Sequence, residues 1–324
     1  MLKNFLFLLF SIIVLTSCED ENKVEQEISK IPVEVKVDRF DQVFAEASPE
    51  DLPTLKENYP LLFPKSYPDS IWLNMMKDTI QQEMDREVAK AFLGLEEETQ
   101  DIEHLFQHLK YYFPNKFETP EVITVTSEVD YKNKVIAADS VLLISLDTYL
   151  GKEHKFYVGL QQYLKKNFRK EQLVPDIAFA YGEQYIPQPK SRTLLASMIY
   201  YGKILYFKDK LIPGYSDAEK IGYTADEMEW ARTNEEQIWR YFIEHEILFD
   251  TDANLQKRFI NLAPFTKFRL QLDSESPPQL GQYIGWQIVR QFADKHPDLS
   301  LQEVLQKDDE QIFKQSNYKP RKPE

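Results

Sequence analysis

The chain has 324 residues, of which 43% are hydrophobic and 28% are charged, so it is long enough to bury one large core or two ordinary ones. Only nine residues are glycine, less than half the usual ~7%, which argues against folds built on repeated glycine turns or glycine-rich phosphate loops. The formal net charge is −14, and this excess of acid argues against DNA or RNA as partners because it repels the phosphate backbone.

The first 18 residues have the pattern of a bacterial lipoprotein signal. Lys3 precedes an apolar run at residues 5–15, which is typical of a secretory signal peptide because a membrane-spanning helix needs about 20 apolar residues. Residues 15–18 (LTSC) resemble the lipobox of lipoproteins, and Cys18 is the only cysteine in the chain. We therefore predict that residues 1–17 are removed and that acyl chains on Cys18, palmitate among them, anchor the protein to a membrane.

The segment after the predicted anchor is polar and rich in acidic residues. It lacks turn signals as far as Ser29, which predicts a lipidated tether over residues 18–30. At ~3.3 Å per residue, its polar part can reach ~35 Å. The folded part of the protein is therefore expected to begin near residue 31.

The first half of the chain contains the sheet signals. Residues 31–37 alternate as a β-strand does, and Pro32 favours an edge position. Three β-branched or aliphatic runs follow, and turn residues at 130–133 between the first two favour a hairpin or meander. In chain order we predict turns at 48–68, helices at 69–92 and 99–113, and strands at 121–126, 134–138 and 141–146.

The second half of the chain is helical almost to its end. Thr224 with Glu227 and Ser300 with Glu303 fit the capping box, in which a hydroxyl and a carboxylate bind free amides at a helix start. The predicted helices span residues 156–167, 175–185, 192–207, 224–249, 253–261, 278–295 and 300–306.

These elements predict an α+β fold with a small N-terminal antiparallel or mixed sheet and a mostly helical second half. No long flexible linker and no internal repeat is visible after residue 31. We therefore predict a single domain over residues 31–324, and a division near residue 150 is the alternative.

The common catalytic motifs are absent from the sequence. There is no GxxxxGK[ST] phosphate loop and no GxSxG nucleophile. His104 and His108 are four residues apart on a predicted helix, but Leu105 stands where an HExxH metalloprotease has its glutamate base. We predict no catalytic residue, no metal and no cofactor.

Aromatic residues make up 13% of the chain. Most of them are expected in the core, and some of them suit an exposed patch for a protein partner.

Several strings along the chain are distinctive. They are IPVEVKVDRFDQVF from Ile31, YPLLFP from Tyr59 with Asp69 and Trp72 after it, LLASMIYYGKILYF from Leu194, GYTADEMEW from Gly222, APF at Ala263 and SPPQLGQYIGWQIV from Ser276. With the lipobox, they resemble the gliding-motility lipoprotein GldB family of the Bacteroidota over nearly the whole chain. The resemblance implies a lipid-anchored envelope protein of the outer membrane that is required for gliding, a surface movement linked to type IX secretion.

The order of strands and helices and the late GxxxGWxIV segment are also similar to a family of predicted zinc proteases. This chain departs from that family, because PDIAF at residues 175–179 stands in place of HExxH and Tyr201 in place of a glutamate before glycine. Since a zinc site needs at least three ligands, the resemblance implies a zincin-like scaffold that has lost its metal and whose cleft serves binding. The residues predicted for that cleft are Asp176, Tyr201, Lys203 and Trp286.

Two functions from different classes follow. The first is a non-enzymatic lipoprotein, held to the membrane through Cys18, that binds other envelope proteins of the gliding and secretion apparatus. The second is a lipid-anchored hydrolase, or zincin-like metallopeptidase, whose site is assembled from Asp, Glu and His residues far apart in the sequence. A glycan-binding lipoprotein is a third possibility, and it would use the same aromatic residues as the protein-binding lipoprotein.

Overall fold

A computed structural model describes residues 23–270 and 273–321. The predicted signal peptide and Cys18 lie outside the described residues. Residues 23–28 form a helix, α1, and Ile28 is 1% exposed. Part of the segment predicted as a free tether is therefore a helix docked on the folded domain.

Helices make up 58% of the structure, which confirms the α+β class. A π-helical turn, Gln256–Ile260, and several 3₁₀ turns join the longer elements. After α1, the elements are β1 (Val37–Asp38), α2 (Phe40–Glu46), α3 (Leu52–Asn58), α4 (Asp69–Lys77), α5 (Thr79–Ala91), α6 (Glu96–Tyr112), β2 (Glu121–Val125), β3 (Val135–Ala137), β4 (Val141–Ser145), α7 (Gln162–Lys165), α8 (Leu173–Tyr185), α9 (Leu194–Leu211), α10 (Asp217–Ile221), α11 (Ala225–Thr233), α12 (Glu235–Glu244), α13 (Ala253–Leu255), α14 (Leu280–Lys295), α15 (Leu301–Gln306) and α16 (Asp309–Ser316).

The strands of the described residues form one mixed sheet in the order β1-β2-β4-β3. β2 pairs in parallel with β1 and β4, with Ile123 opposite Leu143, whereas β3 pairs antiparallel with β4. The mixed sheet is confirmed, but the predicted pairing of the first two aliphatic runs is wrong because β4 lies between them. β2 and β4 are aliphatic on both faces, as buried parallel strands are, and such runs carry no alternation from which their order can be read.

Two predicted segments are divided differently in the structure. The helix predicted at 69–92 is broken at Asp78, whose carboxylate accepts the backbone N–H of Ile80 at 2.7 Å and of Gln81 at 3.1 Å. Those two bonds cap α5 and end the continuity with α4. The segment predicted as turns at 48–68 contains α3.

The two helix starts predicted from capping boxes are confirmed, whereas the helix predicted at 156–167 is not continuous, since Gly159 (φ 91°) separates a 3₁₀ turn from the short helix α7. The capping boxes at Thr224 and Ser300 are both present, and a further one at Ser216 begins α10. The helix predicted at 224–249 divides at Asn234, which ends α11 and precedes α12.

One face of α6 holds the N-terminal segment against the domain. A carboxylate oxygen of Glu103 accepts a backbone N–H of that segment at 3.0 Å. The Gln107 amide donates to the carbonyl of Ile31 at 3.0 Å, and the Lys110 ammonium donates to the carbonyl of Pro32 at 3.2 Å. We call this contact between α6 and residues 23–37 the α6 seam.

A large hydrophobic cluster joins the two halves of the chain. It contains Val122 and Leu142 of the sheet, Phe106 of α6, Ile177 of α8 and Phe207 of α9. The single domain over residues 31–324 stays a prediction. A single domain requires one core shared by both halves of the chain, as this cluster is.

Helices α9 and α14 approach each other backbone to backbone at Gly202 and Gly285. A Cβ atom on Gly285 would overlap the main chain of Met198, and one on Gly202 would overlap the main chain of Gly285. Trp286, beside this crossing, is fully buried. The two glycines therefore set the distance between the two helices at the centre of the second half.

Arg290 of α14 joins α9 and α10 through two carboxylates. Its guanidinium donates to Asp209 and to Asp217 at 2.7 Å each, and lies 3.7 Å from the centre of the Trp286 ring. Burial alone would raise the pKa of Asp217, but the hydrogen bonds and charge of Arg290 outweigh it and lower that pKa to about 2. The ionised form of Asp217 is therefore the one that the fold stabilises.

We expect the Asp217 carboxylate to make folding stability acid-sensitive. A carboxyl whose pKa is lower in the folded chain stabilises the fold above its unfolded pKa of about 4 and loses that contribution as the pH falls through about 2. The measurement is urea unfolding of the wild type and of Asp217→Asn between pH 6 and pH 2. The gap in unfolding free energy between the two proteins should shrink over pH 4 to 2, and a gap that stays constant would contradict the assignment.

Candidate functional site

A cleft of ≈ 310 Å³ opens between the edge strand of the sheet and the helices α8, α9 and α10. We call it the lysine cleft, because four lysines and two acidic residues line it in a chain of net charge −14. These charged residues are Lys132, Lys134, Lys208, Lys220, Asp176 and Glu183. Two of the lysines form ion pairs, Lys134 with Asp176 and Lys220 with Asp209 at 3.2 Å, so the unbalanced positive charge of the cleft comes from Lys132 and Lys208.

Asp176 lies in the first turn of α8, where the sequence places it. Its carboxylate forms an ion pair with the Lys134 ammonium and accepts the Tyr149 hydroxyl at 3.0 Å. Burial, which has the largest effect, and the charge of Asp176 both raise the pKa of Tyr149. The hydroxyl therefore keeps its proton and remains a hydrogen-bond donor. Asp176 thus connects α8 to the residues that flank the sheet.

Lys208 and Gln172 are buried residues of the cleft whose hydrogen bonding is incomplete within the described residues. Lys208 is 4% exposed and donates to the carbonyl of Lys220 at 2.8 Å, with no carboxylate of the described residues in ion-pair distance. Burial lowers the pKa of its amine to about 8, so the amine is still mostly protonated at neutral pH. Gln172 is 2% exposed, and its Oε1 has no hydrogen-bond partner among the described residues.

The structure does not bring the four predicted cleft residues together, since Asp176 alone lines the lysine cleft. Lys203 is buried and donates to Asp309 at 2.8 Å, and the Trp286 indole donates to Asp209 at 2.8 Å. Tyr201 packs between the two large hydrophobic clusters. Lys203 lies on a different face of α9 from the cleft residue Lys208, because residues five apart point about 140° apart around an α-helix axis.

Lys208 is not among the residues predicted from the sequence, although the sequence contains one signal for it. The segment that forms α9 is apolar on all sides, and a helix of that kind is buried in the protein. Lysines in the middle of this helix are therefore expected to be buried, as Lys203 and Lys208 are, whereas Lys210 in the last turn is half-buried. Gln172 carries no such signal, because its burial depends on the packing of α10.

A second cluster of polar side chains lies at the α6 seam. Nε2 of His104 lies 2.7 Å from Oε1 of Glu25, and Nε2 of His108 lies 3.1 Å from Oε2. His108 is 1% exposed, and burial lowers its pKa. The two histidines were identified in the sequence, but Glu25 is 79 residues from His104 along the chain, so only the fold reveals a third group.

Comparison with known protein families gives a match over most of the chain. The family model described as gliding motility protein GldB matches residues 21–320, which confirms the family resemblance. No curated protein and no solved structure matches the chain, so the zincin-like scaffold stays a prediction. In residues 23–270 and 273–321, no helix combines the length and apolar character needed to cross a bilayer.

Proposed function

Since the chain belongs to the gliding motility protein GldB family, we propose that it supports gliding by binding other envelope proteins of the gliding and type IX secretion apparatus. Family membership supplies the coarser part of this function, a gliding motility lipoprotein of the cell envelope. The outer-membrane location, the protein partners and the absence of catalysis are the further parts of the proposal.

The observation that carries the proposal is the charge of the lysine cleft. A positive cleft in a strongly acidic protein is suited to an acidic segment of a partner, because opposite potentials steer the encounter and fix its orientation. Lys208 is placed to take a carboxylate, since its buried amine is charged at neutral pH and has no carboxylate partner among the described residues. The free Oε1 of Gln172 can accept an N–H from the same segment.

The bonding of Asp176 supports binding rather than catalysis. The Lys134 ammonium and the Tyr149 hydroxyl both contact its Oδ2 atom and hold the carboxylate in one orientation. These contacts join α8 to the residues beside the sheet, which is a structural role. Asp176 is therefore better explained as a support for the wall of the cleft.

We expect Lys208→Met to fold and to lose partner binding. The substitution removes a buried charge that has no carboxylate partner, so folding should be retained. Losing one member of a buried charge pair at an interface costs about 2 kcal/mol or more, which predicts at least a tenfold weaker complex. The measurement is recovery of cross-linked envelope proteins with the tagged, detergent-extracted lipoprotein, together with colony spreading.

Lys210→Met is the matched control, because Lys210 lies on the same helix but does not line the lysine cleft. It should leave both recovery and spreading unchanged. Wild-type recovery should also fall with added salt, since the contact is electrostatic. Equal recovery with Lys208→Met and the wild type would contradict binding at the cleft.

A lipid-anchored hydrolase is the second candidate, and Glu183 is the observation in its favour. Glu183 lies exposed at the rim of the lysine cleft and makes no hydrogen bond or ion pair within the described residues, and partial desolvation raises its pKa. A free carboxyl with a raised pKa is suited to general acid–base catalysis. Loss of gliding in Glu183→Gln with unchanged partner recovery would favour the hydrolase.

A further inference from the structure

We propose that Glu25, His104 and His108 bind one divalent transition-metal ion of the zinc class, which fastens α1 to α6. The site is separate from the lysine cleft and does not depend on the binding function proposed there. α1 is the first described element after the predicted lipid anchor at Cys18, so the ion would lie where the membrane attachment enters the domain.

The geometry of the three side chains suits a metal ion. His104 and His108 are four residues apart on α6, so both imidazoles extend from one face of the helix, with ring centres 4.6 Å apart. One ligand atom from each of the three residues lies within 4.8 Å of the other two. Ligand atoms around tetrahedral zinc are about 3.3 Å apart, given bonds of about 2.0–2.1 Å, so a movement of the half-exposed His104 side chain would complete the arrangement.

The hydrogen bonding of His108 leaves a gap that a cation fills. Its Nδ1 lies 2.9 Å from the carbonyl oxygen of His104, and a carbonyl only accepts, so Nδ1 carries the ring proton. In a neutral ring Nε2 then presents a lone pair to Oε2 of Glu25, 3.1 Å away. Two acceptors at that distance repel unless a positive charge, either a second ring proton or a metal ion, lies between them.

The same contacts are those of a metal-binding histidine. A histidine ligand commonly donates its second ring N–H to a carbonyl or carboxylate, which fixes the tautomer and the ring orientation. The carbonyl of His104 has that role for His108. The bond therefore prepares Nε2 of His108 as a ligand.

The ligand set selects the class of metal. Two imidazoles and one carboxylate suit zinc and similar ions, whereas calcium and magnesium prefer sites made of oxygen atoms. Three protein ligands leave a fourth position for water or for a donor from elsewhere. The half-exposed side chains of Glu25 and His104, 39% and 45% exposed, keep that position open to solvent.

A metal at this place would complete the α6 seam at the end nearest the lipid. The hydrogen bonds from Gln107 and Lys110 hold residues 31 and 32, and the ion would hold Glu25 in the same way. Glu25 is seven positions after Cys18, so the chain between them spans at most about 25 Å. The ion would thus keep the domain close to the bilayer by preventing α1 from separating from α6.

The test is zinc binding by the full-length lipoprotein in detergent, after removal of metal with EDTA. Titration with ZnCl₂ in a calorimeter should give one zinc per chain in the wild type and no binding of CaCl₂. Glu25→Gln and His104→Asn should each weaken zinc binding by at least about 100-fold, since even an outer-shell contact is worth 10–100-fold. Both side chains are partly exposed, so these variants should fold.

His154→Asn is the control, because His154 pairs with a single carboxylate, Glu87, at 3.3 Å and has no second imidazole beside it. Its zinc affinity should equal that of the wild type. Zinc should also slow tryptic cleavage after the exposed Lys30 in the wild type but not in Glu25→Gln. Absence of zinc binding, or equal affinity in the wild type and both ligand variants, would overturn the site; unchanged cleavage would overturn the fastening of α1.

Discussion

Substitution of Cys18→Ser is expected to release the protein from the membrane completely. The acyl chains on Cys18 are the predicted attachment, and each buried methylene contributes ~0.8 kcal/mol to it. No helix in the described residues can replace them by crossing the bilayer. The measurement is the distribution of the protein between the detergent and aqueous phases, with the apparent mass showing whether residues 1–17 are removed.

Ser17→Ala is the matched control for this change, because it keeps a small residue at the predicted cleavage point and leaves the thiol in place. It should behave as the wild type does in both assays. The lipoprotein assignment would fail if Cys18→Ser stayed in the detergent phase and were still cut after Ser17.

Gly285→Ala is expected to be the most destabilising of the conservative substitutions in α14. The added methyl would overlap the main chain of Met198, so α9 and α14 must separate. Overpacking of a tight core costs about 1–3 kcal/mol and occasionally more, and main-chain atoms cannot move aside as side chains do. We expect a loss of about 3 kcal/mol in unfolding free energy, measured by urea unfolding, with a Tm lower by about 5 °C or more.

Gly182→Ala provides the comparison within a helix. A Cβ on Gly182 would meet only side chains, the nearest being the Ile204 methyl Cγ2 at 3.1 Å. Alanine also favours the helix by up to about 1 kcal/mol over glycine, so the net change should stay within about 1 kcal/mol. Equal losses for Gly182→Ala and Gly285→Ala would show that the backbone contact does not set the helix spacing.

Local patterns predicted the elements of this fold more successfully than their arrangement. The capping boxes at Thr224 and Ser300 were correct because hydroxyl, carboxylate and amides lie within four residues. The break at Asp78 was missed because the apolar spacing of α4 continues into α5 and conceals the cap. The position of β4 between β2 and β3 depends on pairing between segments that look alike in sequence.

The candidate sites were harder to predict because each is assembled from distant segments. The lysine cleft combines Lys134, Gln172 and Lys208, which come from three separate segments of the chain. Two members of the cluster at the α6 seam, His104 and His108, could be identified in the sequence. The third member, Glu25, comes close to them only in the folded chain. Side chains that meet only after folding leave no spacing signal in the sequence.

The contact between α9 and α14 has a kinetic consequence. Gly202 and Gly285 are 285 − 202 = 83 residues apart, so this contact closes a loop that contains α10 to α13. Helices form within about a microsecond, whereas closing a loop of that length costs about 4 kcal/mol of chain entropy before any packing compensates for it. The rate at which this mostly helical half reaches its native state is therefore governed by its contact order, as in proteins with many long-range strand pairs, and not by its helix content.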